Sequence, residues 1–263
     1  MSYTGEIMTI RNYLKPRSLQ EMLEAKRKHP KSKFVAGGTL VVKSNYPDID
    51  TLIDIQDLGL NRIRITDEEY GIGSFTTFTS IMESDIDCCG DLMKKFARHI
   101  GPVTIRNVAT IGGNVMSGFN WNDTLPPLLL MEAKLVFEGM EGRRETGIEA
   151  FIENRTLFKD MLLYEVIIPR KDVGKVYYSR FSRTEDDIPT SIVAAHKDGG
   201  KVRIACGASV LKPFVKSIAA DQAESLGIDP GVKYIDDLRG NAEFKRKILL
   251  ASLKEIKEWA HEN

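Results

Sequence analysis

The sequence predicts an α+β fold, and three observations carry that expectation. Candidate strands and amphipathic helices are interleaved along the whole chain without strict βαβ alternation. Two apolar strand-like runs lead into or flank glycine turns, at Phe34-Val35-Ala36-Gly37-Gly38-Thr39 and at Ile105-Arg106-Asn107-Val108-Ala109-Thr110-Ile111-Gly112-Gly113-Asn114. The last third carries a hairpin signal, Asp198-Gly199-Gly200, followed by a long terminal helix.

The elements follow in order. Ser18-Leu19-Gln20-Glu21 reads as a capping box opening a helix with Leu19, Met22, Leu23 and Ala25 on one face, and His29-Pro30 stops it. Lys33 to Val35 and Leu52-Ile53-Asp54-Ile55 read as strands, which makes the opening section a small β-α-β-type unit. Asp67 to Tyr70 is turn-like, Tyr70-Gly71-Ile72-Gly73 a strand, and a short helix is expected around Ser80 to Met82. Leu92, Met93, Phe96, Ala97 and Ile100 repeat at the helical period and run towards the second glycine pair. Leu135-Val136-Phe137 and Val166-Ile167-Ile168 are strands, the second closed by Pro169. The change of composition at Lys171, Asp172, Gly174 and Lys175 marks a domain boundary. Strands at Ser191 to Ala195 and Val202 to Ala205 follow, then a helix from about Ala242 with Leu249, Leu253, Ile256 and Ala260 along one face.

Composition bounds the function. At 263 residues, 42% hydrophobic and 28% charged, the chain has ordinary globular composition and room for one large or two modest domains. Its formal charge is zero, so no global field recruits nucleic acid. The opening Met1-Ser2-Tyr3-Thr4-Gly5-Glu6 lacks the basic and apolar stretches of a signal peptide, and no apolar run approaches the roughly 18 residues of a membrane span. A cytoplasmic protein is expected. The cysteines, Cys88, Cys89 and Cys206, make neither a disulfide framework nor a C-x-x-C array, and His29, His99, His196 and His261 form no metal motif. Redox chemistry would therefore come from an organic cofactor or from a partner's metal centre.

Glycine permits positive φ and close backbone approach, and consecutive bare N–H groups form a concave anion site. Two such turns suggest a ligand with a phosphate-like centre held between two parts of one fold. Neither turn has the P-loop or G-x-G-x-x-G spacing, and neither has an adjacent P-loop-type lysine. Charge compensation is thus expected mainly from backbone amides.

The eleven residues from Thr104 to Asn114, T-I-R-N-V-A-T-I-G-G-N, closely resemble the I-R-N-x-A-T-I-G-G-N segment of the FAD-binding subunits of molybdenum hydroxylases. Phe34 to Thr39 is similar to the first flavin loop of that family, F-x-A-G-G-T, and the resemblance extends over essentially the whole chain. It implies a PCMH-type (vanillyl-alcohol-oxidase-like) fold: an FAD-binding domain over 1–170, with lobes of about 1–58 and 59–170, and a C-terminal α+β domain over 171–263 with a small antiparallel sheet and helices. Carried over by position, Val35, Ala36, Gly37, Gly38, Thr39 and Leu40 would wrap the diphosphate of FAD, and Thr110, Ile111, Gly112, Gly113 and Asn114 would complete the cradle. Asp123 would accept from a donor group of the cofactor, Ile100 would pack near it, and Leu163 matches a backbone position near the adenine or flavin. The family's lysine before an Arg … Asp-Ile pattern falls on Ser179 or the adjacent Arg180, ahead of Arg183, Asp187 and Ile188. Phe119 and Trp121 have two readings, shielding of the flavin or burial against a partner. The Arg183-Thr184-Glu185-Asp186-Asp187 run is either a solvated loop or a gate beside the flavin edge.

The resemblance implies an electron-transfer subunit whose partners are an iron–sulfur [2Fe-2S] subunit and a molybdenum-cofactor large subunit, with NAD as a candidate acceptor and no protein acid or base in the chemistry. The alternatives are a stand-alone flavin reductase or oxidase of the same fold and a non-catalytic FAD-binding scaffold.

Overall fold

The structure, a computed structural model, describes residues 9–41, 46, 48–87 and 89–262. Cys88 and the Met1-to-Glu6 stretch lie outside them.

The chain opens with β1 (Asn12–Leu14), α1 (Leu19–Lys28), β2 (Ser32–Val35) and β3 (Thr51–Asp54). Ser18 caps α1 by accepting from the Glu21 N–H at 3.1 Å. The Glu21 carboxylate accepts from the Arg17 N–H, so the reciprocal half of the capping box is displaced by one residue. The strands form a parallel sheet in the order β1-β3-β2, which places the β2–β3 connection, with its glycine pair, at the sheet's end. Met22, Ile53 and Ile55 of this lobe pack with Leu60 and Leu162 of the second in a small core of their own.

The second lobe is a five-stranded antiparallel sheet, ordered β4-β5-β8-β6-β7: β4 (Ile63–Ile65), β5 (Glu69–Gly73), β6 (Lys134–Gly139), β7 (Gly142–Gly147) and β8 (Leu162–Pro169). Helices α2 (Phe78–Glu83), α3 (Leu92–Ala97), α4 (Val103–Arg106), α5 (Ile111–Met116), α6 (Leu125–Leu130) and α7 (Ile148–Glu153) surround it. Leu92, Met93, Phe96 and Ala97 are all buried, as their period requires. The helix ends near Ala97, however, and α4 intervenes before the second glycine pair. In α6, every residue from Leu125 to Leu130 is buried, with Pro126 and Pro127 in its first turn, where a missing N–H costs nothing.

The last third is an antiparallel sheet in the order β12-β11-β10-β9, from β9 (Val176–Phe181), β10 (Ser191–Asp198), β11 (Lys201–Gly207) and β12 (Phe214–Ile218), followed by α8 (Ala242–Glu262). Gly199 and Gly200 make the β10–β11 turn with φ of 53° and 84°, the positive values a two-residue hairpin needs. This sheet is buried on both faces. Val193, Ala195, Ile204 and Cys206 pack towards α8. Ala194, Ala205 and Val215 join the large core that contains α6 and the second lobe's sheet.

Candidate functional site

The first glycine pair sits just beyond β2 and is held by the second lobe. A Cβ on Gly37 would lie 1.6 Å from the carbonyl oxygen of Val108, so glycine is required there by close approach of two backbones. Gly38 has φ 70°, a conformation L side chains rarely adopt. The amides of Gly37, Gly38 and Thr39 donate no hydrogen bond to another described residue. Among the described residues these three amides are bare donors.

The second pair is built differently from the turn the spacing suggests. Gly112 and Gly113 lie in the first turn of α5, and neither has positive φ. Their amides are already engaged. Ile111 donates to the Thr76 carbonyl and Gly112 to the Ser74 carbonyl, both at 3.0 Å, and Asn114 donates to the Thr110 carbonyl. The Thr110 hydroxyl caps the helix by accepting from the Gly113 N–H at 3.1 Å. Glycine at 112 serves packing, since a Cβ would fall 2.5 Å from Ser74 Cβ. The expected concave nest of amides is therefore present in the first loop only. The physical reason is that a helix start and a β-bridge between Thr77 and Thr110 consume the donors of the second.

Between the loops lies a cavity of about 320 Å³. Ala36, Gly37, Gly38, Thr39, Leu40, Thr110, Gly112, Gly113, Asn114 and Leu163 line it. Val35 and Ile111 are buried behind it, and Ile100, Asp123 and Arg180 are not among its lining residues. Sequence reasoning missed Lys33, Arg155 and Lys159, which line the cavity, while no Asp or Glu does so among the described residues. Lys33 holds its ammonium 4.3 Å from the Tyr46 ring centre. Lys159 and Arg155 come from the turn between α7 and β8, where no spacing rule marks a ligand-facing cation. An acid-free cavity lined by three cations and a loop of bare amides fits a diphosphate well.

Asp123, Arg180 and His99 form a second cluster, between the second lobe and the C-terminal sheet, while Ile100, next to His99 in the chain, packs in the large core. Arg180 Nε donates to Asp123 Oδ1 at 2.6 Å, with side-chain exposures of 4% and 8%. The same guanidinium donates to the Ser182 hydroxyl and to the carbonyls of Glu185, Asp187 and His99. Burial, opposed by Arg180, pushes the Asp123 carboxyl up to about 6. Burial and the cations around it hold His99 below its ordinary value, and its Nδ1 is buried without a hydrogen-bond partner among the described residues. Alternation along β9 decides which of the two neighbouring candidates faces this cluster. Ser179 points at Ser252 of α8, and Arg180 points at Asp123. Asn114 is tied to the same region, accepting from the Thr124 hydroxyl at 2.6 Å.

Phe119 lines the cavity and stacks on Trp121 with ring centres 4.4 Å apart. The Arg239 guanidinium sits 6.0 Å from the Trp121 ring centre. The 183–187 run is anchored rather than free: Arg183 donates to the Leu238 carbonyl, and Asp186 lies 3.9 Å from Arg106. Among the described residues no helix is long and apolar enough to cross a membrane.

Comparison with known proteins agrees with this geometry. The profile of the FAD binding domain in molybdopterin dehydrogenase matches residues 7–171. The chain is 29% identical over 226 residues to the xanthine dehydrogenase FAD-binding subunit of Escherichia coli O157:H7, covering 77% of this chain and 75% of that one. It is 33% identical over 150 residues to the nicotinate dehydrogenase FAD-subunit of Eubacterium barkeri, covering 53% and 51%. Its fold matches a chain of the carbon monoxide dehydrogenase from Hydrogenophaga pseudoflava with a TM-score of 0.82 at 23% identity, over 95% and 96% of the two chains. The chain therefore belongs to the family of FAD-binding domains of molybdopterin dehydrogenases, the flavoprotein members of the molybdenum hydroxylases.

Proposed function

We propose that this chain is the electron-transfer subunit of a multi-subunit molybdenum hydroxylase. Residues 1–170 would hold FAD and 171–263 would form the C-terminal domain. The observation that carries the reading is the cavity itself, acid-free and cationic, with the bare amides of Gly37, Gly38 and Thr39 on one wall. The residues of both glycine segments, 35–40 and 110–114, frame the diphosphate. Thr110 and Asn114 hold the α5 wall in place through their side-chain hydrogen bonds. Leu163 lines the same cavity, and the Asp123–Arg180 pair stands outside that lining, between the second lobe and the C-terminal sheet.

When bound, FAD would supply the electron-transfer chemistry, between the [2Fe-2S] clusters of one partner and an acceptor such as NAD. The protein's own work is to bind, to orient and to exclude water. Substrate oxidation would belong to a molybdenum-cofactor subunit. The likeness to the xanthine dehydrogenase FAD-binding subunit supports this division of labour.

Co-expression with the genes adjacent to its own provides the test. The expected result is a yellow complex containing FAD, iron–sulfur and molybdenum subunits, with reduction of the flavin dependent on all three. A yellow protein that alone oxidises NADH with a dye would instead establish a stand-alone reductase. Loss of FAD from an intact, folded chain would leave a scaffold.

A further inference from the structure

One cation of the cavity stands apart from the others. Lys159 is exposed and Lys33 rests on Tyr46, so solvent or an aromatic face serves each of them. Arg155 is half-buried, and its guanidinium has neither an ion pair nor a hydrogen bond to a described residue. Its remaining contacts are the Phe151 ring, 5.7 Å from Cζ, and the backbone of Gly118, where a Cβ would lie 3.2 Å from Nη1. Gly118 lies two residues beyond α5, so the guanidinium stands near the end of the wall that carries Gly112 and Gly113.

A desolvated cation without a counter-charge is an electrostatic cost that folding alone leaves uncompensated. Burial lowers the Arg155 pKa, and no charge among the described residues opposes it. On the same wall the amides of residues 111–114 are consumed by α5 and its bridge. An anion in this cavity would therefore meet the bare amides of residues 37–39 and the Arg155 guanidinium, which line the same space.

We infer that Arg155 is the counter-charge of the cofactor's diphosphate and makes the site selective for phosphate-bearing flavins. The inference rests on the FAD reading above. A guanidinium offers two parallel donors to phosphate oxygens, a geometry an ammonium lacks.

The test uses the full-length chain stripped of flavin, with FAD and riboflavin as probes, in the wild type, Arg155→Met and Arg155→Lys. Arg155→Met is expected to weaken FAD binding about 10- to 100-fold, the range of a charge-assisted hydrogen bond. Riboflavin binding should stay unchanged, Arg155→Lys should recover part of the loss, and FAD affinity should fall less steeply with salt in Arg155→Met. The flavin-free Arg155→Met protein should unfold at the same temperature as the wild type or higher, because an unpaired buried charge has gone. FAD affinity within about twofold of wild type would overturn the assignment. So would an equal loss of FAD and riboflavin, or a lower melting temperature of the flavin-free variant, since either shows a packing role on Phe151. Wild-type protein that binds FAD no better than riboflavin would overturn the cofactor reading itself.

Discussion

Gly37→Ala should destabilise the protein by about 3 kcal/mol or more and strip it of flavin, the largest effect expected of any single methyl group in the chain. The new Cβ would lie 1.6 Å from the Val108 carbonyl oxygen and 2.5 Å from its carbon. Both are backbone atoms, fixed between α4 and α5, so no side chain can swing away. The strain has to be relieved by separating the first lobe from the second, which opens the cavity along its seam. Gly113→Ala is the internal control. Its Cβ would meet only the Thr110 hydroxyl, at 3.1 Å, and should cost about 1 kcal/mol or less. Thermal unfolding of the two variants, with and without FAD, distinguishes them. Equal melting temperatures would mean that the two lobes are not locked through Gly37.

Breaking the Asp123–Arg180 pair is the second large effect. Removing one member of a buried ion pair leaves the other uncompensated and typically costs about 3–5 kcal/mol. Arg180 also donates to the Glu185, Asp187 and His99 carbonyls, so Arg180→Met should fall at the upper end of that range. The double variant Asp123→Asn with Arg180→Met should be less destabilised than the sum of the single ones. Asp123 also sets a pH dependence. Its folded-state pKa of about 6 exceeds that of the unfolded chain, so between about pH 4 and 6 the folded protein holds a proton that unfolding releases. Raising the pH through that window therefore favours unfolding, and the contribution levels off above it. Urea unfolding should show the wild type losing stability relative to Asp123→Asn, which has no carboxyl to titrate, as pH rises from about 4 to 6. A wild type whose stability relative to Asp123→Asn is constant or rises with pH would refute the raised carboxyl.

Much of this architecture was legible in the chain. The cap at Ser18, the stop at His29-Pro30, the Gly199-Gly200 hairpin and the apolar face of α8 are each decided by local physics, and each is found. Other elements depend on what lies across space. β7 gives no strand signal because Arg143 and Arg144 sit on an exposed edge strand, where no hydrophobic alternation is required. α6 is hidden by its two prolines and uniform apolar run, which fit no amphipathic period because the helix is buried on all sides. β9 and β12 carry weak patterns, since much of each is only half-buried.

At the site, the sequence located both glycine segments but could not tell why glycine is needed. A Gly-Gly pair looks the same whether it supplies positive φ, as at Gly38, or room for a neighbour, as at Gly112. Arg155 was invisible for a related reason: what marks it is the lack, among the described residues, of an acidic neighbour in space, and no spacing in the chain records that. The resemblance carried by residues 104–114 linked the two segments to one ligand, a connection that local pattern alone does not supply.

The burial of α6 has a consequence for how such chains diverge. The helix is roofed by the C-terminal sheet: Gly207 of β11 leaves room for Pro126, whose Cγ would lie 2.5 Å from a Cβ at that position. Asn120 fastens the approach to α6, accepting from the Ala208 N–H at 3.0 Å and donating to the Val210 carbonyl. Ala194, Ala205 and Val215 complete a hydrophobic core whose other members lie before residue 170. The C-terminal third is thus no exchangeable cassette. A graft from a relative would have to bring its own α6-facing residues in matched sizes, so substitutions on β10 and β11 and on α6 are bound to change together.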